Sequence, residues 1–161
     1  MPEDIVNSSH PKVLRIVNRE TIDADPYAVW NAFVNLVAME KYEALNEIQK
    51  AAHLCFWYEH EVQNGGHLQY FENEGTLLVK QTLAALSAVG ADFQRKVLEQ
   101  AAEVFLRRPR ETIETVEEYV DTALEGQFNS FDSAYYACRP EMPDLLRDYL
   151  AKHQDQFVRV E

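Results

Sequence analysis

The stretch Trp57-Tyr-Glu-His-Glu-Val-Gln-Asn-Gly-Gly-His-Leu-Gln-Tyr-Phe-Glu-Asn-Glu-Gly75 decides how this chain folds. Rings at Trp57, Tyr58, His60, His67, Tyr70 and Phe71 stand on both sides of the Gly65-Gly66 pair, together with the acids Glu59, Glu61, Glu72 and Glu74 and no Lys or Arg. Upstream, Leu45, Ile48, Ala52, Cys55, Phe56 and Tyr58 recur at near-helical spacing and predict a helix from about Tyr42 to Gln63. Asn64-Gly65-Gly66 ends it, because glycine accepts left-handed backbone without steric cost. His67 to Asn73 predicts a second, short helix closed by Gly75. The motif residues Asn64, Gly65, Gly66, Gln69, Tyr70, Phe71 and Asn73 are therefore architectural. Tyr70 and Phe71 are expected in the core, and the Gln69 and Asn73 amides are expected to satisfy exposed backbone at the turn. A phosphate-binding loop needs a preceding strand and wider glycine spacing, and both are missing.

Outward from this corner the pattern stays helical. Asp25-Pro26 predicts a helix start, with the apolar stripe Val29, Trp30, Phe33, Val34, Leu36 and Val37 behind it. Thr76 is placed to cap a helix carrying Leu77, Leu78, Leu83, Leu86 and Val89, which Gly90 ends. Asp92 opens the next, through Phe93, Val97, Leu98, Ala101, Val104, Phe105 and Leu106. Arg107 and Arg108 suit its last turn, and Pro109 stops it. A further helix starts after Thr112 or after Thr115; Thr115-Val-Glu-Glu118 fits a capping box and favours the later start, and Gly126 ends it. Asn129-Ser-Phe-Asp132 leads into Ser133 to Arg139, and Asp144 to His153 closes the series. Asn7 to Pro11 is turn-like. Val13-Leu-Arg-Ile-Val17 and Gln156-Phe-Val-Arg-Val160 have the composition of short strands that can pair. The expectation is an all-α, compact bundle of about seven helices, with a short terminal β pair. Residues 1–22 form a peripheral N-terminal segment, and 23–161 a single helical domain.

Composition bounds the function. Across 161 residues the net charge is -12, from 27 acids against 15 Lys and Arg. Such a charge repels DNA, RNA and anionic membranes and attracts basic surfaces. No direct nucleic-acid or membrane partner is expected, and no run approaches a membrane span. Cys55 and Cys138 fit no metal-ligand spacing and read as buried thiols. No signal peptide is visible, so the expected compartment is the cytoplasm.

From Glu111 to Cys138 there is again no Lys or Arg. On one helix at 100° per residue, Glu111, Glu114, Glu118, Asp121 and Glu125 fall within roughly 80° of arc, with Glu117 beside them. Val116, Tyr119, Val120 and Ala123 take the opposite side, expected to be buried. A helix starting at Val116 keeps only Glu118, Asp121 and Glu125 in strict register. Neighbouring carboxylates on such a stripe stand about 5–6 Å apart at Cβ, of the same order as the charge spacing of about 3.4 Å along one DNA strand. A row of this kind substitutes for a phosphate strand facing Arg and Lys. The same pattern is also the ordinary solvated face of an amphipathic helix.

His53, His60 and His67 recur every seven residues. On a continuous helix His53 and His60 stand about 10.5 Å apart, too far for one metal ion. The turn at Gly65-Gly66 brings His67 back toward His60, where Glu59 or Glu61 joins them in a metal-assisted or acid–base reading. No nucleophile is placed beside them, and no cofactor and no metal is assigned.

The segment Asn64-Gly-Gly-His-Leu-Gln-Tyr-Phe-Glu-Asn73 resembles the signature of a bacterial domain-of-unknown-function family, Asn-Gly-Gly, two residues, Gln-Tyr-Phe, one residue, Asn. Leu83 to Gly90 is similar to its small-apolar helix. Phe131-Asp-Ser-Ala-Tyr-Tyr136 with Leu145 to Phe157 is similar to its closing segment. His67 stands where the family more usually has an aromatic, and Glu74 where it has a small polar residue. The best-understood relative is a DNA-mimic protein. The resemblance implies an all-helical, often homodimeric, non-enzymatic protein whose carboxylates occupy the DNA site of a transcription regulator. The partner expected is a basic DNA-binding protein. Alternatives are an immunity-type inhibitor of a basic toxin or nuclease, a metal-assisted enzyme using His60, Glu61 and His67, and a module whose charge serves solubility alone.

Overall fold

The computed structural model describes residues 11–107, 113–124 and 126–161, with the side chains of 122–124 left aside. The elements run β1 (Arg15–Val17), α1 (Arg19–Ala24), α2 (Ala28–Met39), α3 (Glu47–Glu74), α4 (Val79–Ala88), α5 (Asp92–Arg107), α6 (Val116–Leu124), α7 (Asn129–Tyr136), α8 (Met142–His153) and β2 (Val158–Val160). Eight helices thus stand among the described residues where about seven were expected. The addition is α1, capped by the Asn18 side chain on the Thr21 N–H and burying no residue. The sequence pattern predicts no helix in segment 1–22, and residues 1–10 of it, including the turn expected at Asn7–Pro11, lie outside the described set apart from Pro11. The two terminal strands do pair, in parallel, with Arg15 opposite Val158 and Val17 opposite Val160.

α3 is the axis of the fold. It packs against α2, α4, α7 and α8, while α4 packs on α5 and α5 on α7. It begins at a capping box: the Asn46 side chain accepts from the Gln49 N–H at 2.9 Å and the Gln49 side chain accepts from the Asn46 N–H at 3.0 Å. Gln49 is fully buried and also donates to the carbonyls of Val13 and Gln156, joining the helix start to both strand ends. Along its length Ala52, Cys55, Tyr58 and Val62 are wholly enclosed. Phe71 stacks on Phe105 of α5 with centroids 4.3 Å apart. Phe33 of α2 meets Phe157 edge-on at 4.8 Å, closing the core against the β end. Aromatic contacts like these contribute about 0.5–1.5 kcal/mol each beyond the area they bury.

The expected break in α3 is present. Gly65 (φ -153°, ψ 18°) and Gly66 (φ 73°, ψ -174°) leave helical geometry, and the chain resumes as helix on a new axis. Gly66 occupies a backbone region that is almost exclusive to glycine. The first half begins at Glu47, later than Tyr42, because Tyr42–Ala44 forms a 3-10 turn.

Several starts differ from expectation. Asp25 closes α1 and accepts from the Tyr27 N–H, so it shapes the α1–α2 turn and caps no helix through its side chain. Thr76 does not cap α4; Leu78 holds that position without a side-chain bond. α7 begins at Asn129, four residues before Ser133, and α8 at Met142, two before Asp144. α5 ends at Arg107, and the expected stop at Arg108 and Pro109 lies outside the described residues, as does Thr112.

Substitution of the two positive-φ glycines that flank the second half of α3 separates strain from crowding. A Cβ on Gly66 collides with the Asp132 carboxylate, whereas one on Gly75 meets nothing within 4 Å. Gly75→Ala is expected to cost roughly 1–2 kcal/mol and Gly66→Ala at least about 3 kcal/mol in urea unfolding. Equal losses would show that Asp132 has room to withdraw.

Candidate functional site

Each glycine of the pair makes room for a polar side chain. A Cβ on Gly65 would strike the end of Gln69, so its absence lets Gln69 fold back along the helix. There Gln69 Nε2 donates to Glu61 Oε2 at 2.7 Å, and Asn73 Nδ2 donates to the same oxygen at 2.8 Å. Glu61 is only 7% exposed. The motif amides thus clamp a buried carboxylate; they do not satisfy turn backbone as expected. The match of Gln69 and Asn73 to Glu61 needed the break in the axis, because a straight helix would carry position 69 away from 61.

At Gly66 the missing Cβ admits Asp132 of α7. One oxygen, Oδ1, accepts from the His67 backbone N–H at 2.8 Å and from His67 Nδ1 at 2.6 Å. The carboxylate therefore caps the second half of α3 at its positive end. It also fixes the ring: Nδ1 carries the proton, and Nε2 accepts from the Tyr58 hydroxyl at 2.8 Å. Burial above all pushes the Tyr58 phenol well above its ordinary value, so it remains a donor. His67 is fully enclosed, within an aromatic shell of Tyr58, Phe71, Phe131 and Tyr135. Tyr70 and Phe71 are in the core as expected, at 3% and 1% exposure.

The three residues of the metal-assisted reading go to separate partners. Both ring nitrogens of His67 are taken, Glu61 is held by two amides, and His60 is exposed beside Phe56 and Trp57. Among the described residues, no three His, Cys, Asp or Glu side chains are grouped to hold a metal ion. Cys55 and Cys138 are free and buried; burial raises the Cys55 thiol above its usual range.

The remaining carboxylates near the break act on one another and on the tyrosines between them. Burial raises Glu59, and Glu141 of the α7–α8 turn adds to this, while hydrogen bonds from Tyr135 and Gln63 pull the other way. Burial and then Glu61 raise Glu74. Tyr136 is raised by burial and then by Asp132 and Glu59. Tyr119 of α6 is raised by burial and then by Asp132, Glu61 and Glu72. These influences place Glu141 near Glu59, Glu74 near Glu61, and both Asp132 and Glu61 near Tyr119 of α6, a series of neighbouring acids about the break in α3. Among the described residues no Lys or Arg ion pair reaches Glu59, Glu61, Glu74 or Asp132.

Residues 43–153 match the family model described as DMP19-like protein. The chain belongs to the DMP19-like family. No curated protein and no solved structure matches it. The span that carries the DMP19-like match runs from the turn before α3 to the end of α8 and so includes the whole acidic surface.

On α6 the sequence-predicted acids fare unevenly in this DMP19-like chain. Glu111 and Glu125 lie outside the described residues. The capping box is present: Thr115 Oγ1 accepts from the Glu118 N–H at 3.1 Å, and Glu118 Oε2 accepts from the Glu114 and Thr115 N–H groups at 2.7 and 3.2 Å. Glu118 is thereby bound to its own helix start. Glu114, Glu117 and Asp121 are exposed. With Tyr119 facing inward, Glu117 and Asp121 stand about 40° apart on the opposite side of α6. The apolar side departs from expectation. Val116 is 82% and Val120 47% exposed, so neither is buried; with only nine residues, α6 turns Tyr119 alone toward the body among its described apolar side chains. Sequence inspection missed Glu59, Asp132 and Glu141 as members of the acidic surface. No local signal links positions so far apart, though the Lys- and Arg-free composition covers the first two.

Removing Asp132 tests the cap. Asp132→Ala strands two enclosed donors and is expected to cost roughly 2–4 kcal/mol, with Asp132→Asn costing less because it keeps an acceptor. Equal losses in thermal unfolding would argue against a capping carboxylate. For Glu59, folding raises the pKa, so the folded state holds the proton more firmly than the unfolded one. That contribution is lost as pH rises through the raised value. Glu59→Gln is therefore expected to gain in Tm relative to the parent as pH rises from the ordinary glutamate range through the raised value of the folded state; a difference that does not change with pH would exclude the effect.

Proposed function

We propose that this protein is a non-enzymatic DNA mimic that occupies the DNA-binding surface of a basic protein such as a transcription regulator. The observation that carries the proposal is the series of acids about the break in α3, where Glu61 is held by the neutral amides of Gln69 and Asn73 and no Lys or Arg ion pair reaches Glu59, Glu61, Glu74 or Asp132 among the described residues. Elsewhere cations neutralise acids locally, as in Lys50–Glu47, Arg95–Glu99, Arg107–Glu103 and Arg147–Asp144. Membership of the DMP19-like family supports the same reading.

The partner-facing acids are Glu117 and Asp121 of α6, with Glu111, Glu114 and Glu125 from its flanks. Glu118 contributes its charge from a fixed position. These groups imitate the sequence-independent part of DNA, its phosphates, and offer no base edges. Charge complementarity speeds encounter and sets register, and a few enclosed contacts supply much of the affinity. A homodimer belongs to this reading, supported by the apolar side chains that Val116, Val120 and Leu106 leave at the surface. A cytoplasmic location does too; among the described residues no helix is long and apolar enough to cross a membrane.

The test is capture by the immobilised full chain. A basic DNA-binding protein should be retained near 50 mM salt and lose more than about tenfold in affinity by 200 mM. Double-stranded DNA should compete, and Glu117→Lys with Asp121→Lys should abolish retention. A basic toxin or nuclease held one-to-one would select the immunity reading. Retention unchanged by the double reversal would leave the charge with solubility alone.

A further inference from the structure

A cavity of about 380 Å³ opens between the first half of α3, the start of α5, the end of α7 and the turn into α8, lined by Glu59, Gln63, Gln94, Tyr135, Tyr136 and Glu141. Its polar groups are weighted toward acceptors. Glu59 is half-buried and receives hydrogen bonds from the Tyr135 hydroxyl, on Oε2, and from Gln63, which leaves its remaining lone pairs for a ligand. Gln94 is 2% exposed and donates Nε2 to the Pro140 carbonyl at 2.8 Å. Its own carbonyl oxygen receives no hydrogen bond among the described residues. Gln94 lines the cavity, and its oxygen is not among the fully enclosed unpartnered atoms of the described residues, so it keeps some access from outside.

The wall is aromatic. Tyr136 is pinned by its hydroxyl to the Val62 carbonyl at 2.9 Å, and the residue stays 45% exposed. The nearby cation does not fill the site. Arg139 Nη1 is committed to the carbonyls of Tyr136 and Cys138, and Nη2 stands 3.4 Å from Glu141. One guanidinium against two carboxylates leaves a single negative charge.

We propose that this cavity takes the guanidinium of an arginine side chain supplied by the partner protein. A planar cation with five donors matches two carboxylates and an accessible amide oxygen, and its face stacks on a tyrosine ring. Lysine, a point charge with three donors, satisfies fewer of these acceptors at once. The inference rests on the reading of the acidic surface as a protein-binding face, and it adds one enclosed anchor to a surface of otherwise exposed charge.

The test uses the full chain and N-acetyl-arginine-methylamide, titrated by amide NMR. Shifts should concentrate at Gln63, the Gln94 side-chain amide, Tyr136 and Glu141. The lysine analogue should bind several-fold more weakly, and Glu59→Gln roughly tenfold more weakly. If Glu59→Gln does not fold, Glu141→Gln, on an exposed side chain, should show the same direction. Shifts spread evenly over the acidic residues, or parental affinity in a folded variant, would overturn the proposal. Tighter binding of spermidine than of the arginine analogue would overturn the assignment to a protein side chain. If a basic partner is captured equally by both variants, the anchor falls and the acidic-face reading stands. If the arginine analogue binds as expected and no basic partner is found, the anchor stands and the DNA-mimic reading falls.

Discussion

Asp132 reaches across the Cα of Gly66 and holds both the backbone N–H and the ring of His67 with one oxygen. Much of the centre of the molecule follows from this contact. It caps the second half of α3, so the helix can restart in a new direction inside the core. It sets the tautomer of His67, which gives the enclosed Tyr58 hydroxyl an acceptor. It also ties α7 to α3 through a charge-assisted bond, stronger than a neutral one where water is excluded. A side chain on residue 66 would block the approach, and a straight α3 would offer no free N–H to cap.

The same break decides where charge is left uncancelled. Glu61 is enclosed, yet its partners are the neutral amides of Gln69 and Asn73, which bind its carboxylate without cancelling it. Glu74 stands near it, and among the described residues Glu59, Glu74 and Asp132 likewise have no Lys or Arg ion pair. At the edges of the molecule the usual device appears: ion pairs three or four residues apart on single helices, which are worth little in stability but lower the local field. The acidic surface is thus built from the interior outward. Buried carboxylates held by neutral donors adjoin the exposed acids of α6.

The helix–turn–helix corner was legible because Asn64-Gly65-Gly66 interrupts a strong apolar period, and Tyr70 and Phe71 resume it. The capping box at Thr115 and Glu118 was legible too, and it set the start of α6. It also removed Glu118 from the set of free carboxylates, a consequence the wheel of acids alone does not show. Thr76 and Asp25 misled because a capping residue type is necessary for a side-chain cap but not sufficient; the chain at Leu78 and Tyr27 enters helix without one. Val116 and Val120 misled because an apolar stripe implies burial only if an element packs over it, and a nine-residue α6 presents Tyr119 alone.

What the sequence by itself determined was the class of fold, the glycine break and the excess of acid over base, since each follows from local backbone preference, periodicity or simple count. What only the tertiary structure decided was which acids meet. Asp132 meets His67 and Glu141 comes near Glu59 because α3 breaks, α7 crosses the break and α8 starts beside the first half of α3. Such convergence depends on packing between segments more than 60 residues apart, and no short-range pattern of residues encodes it.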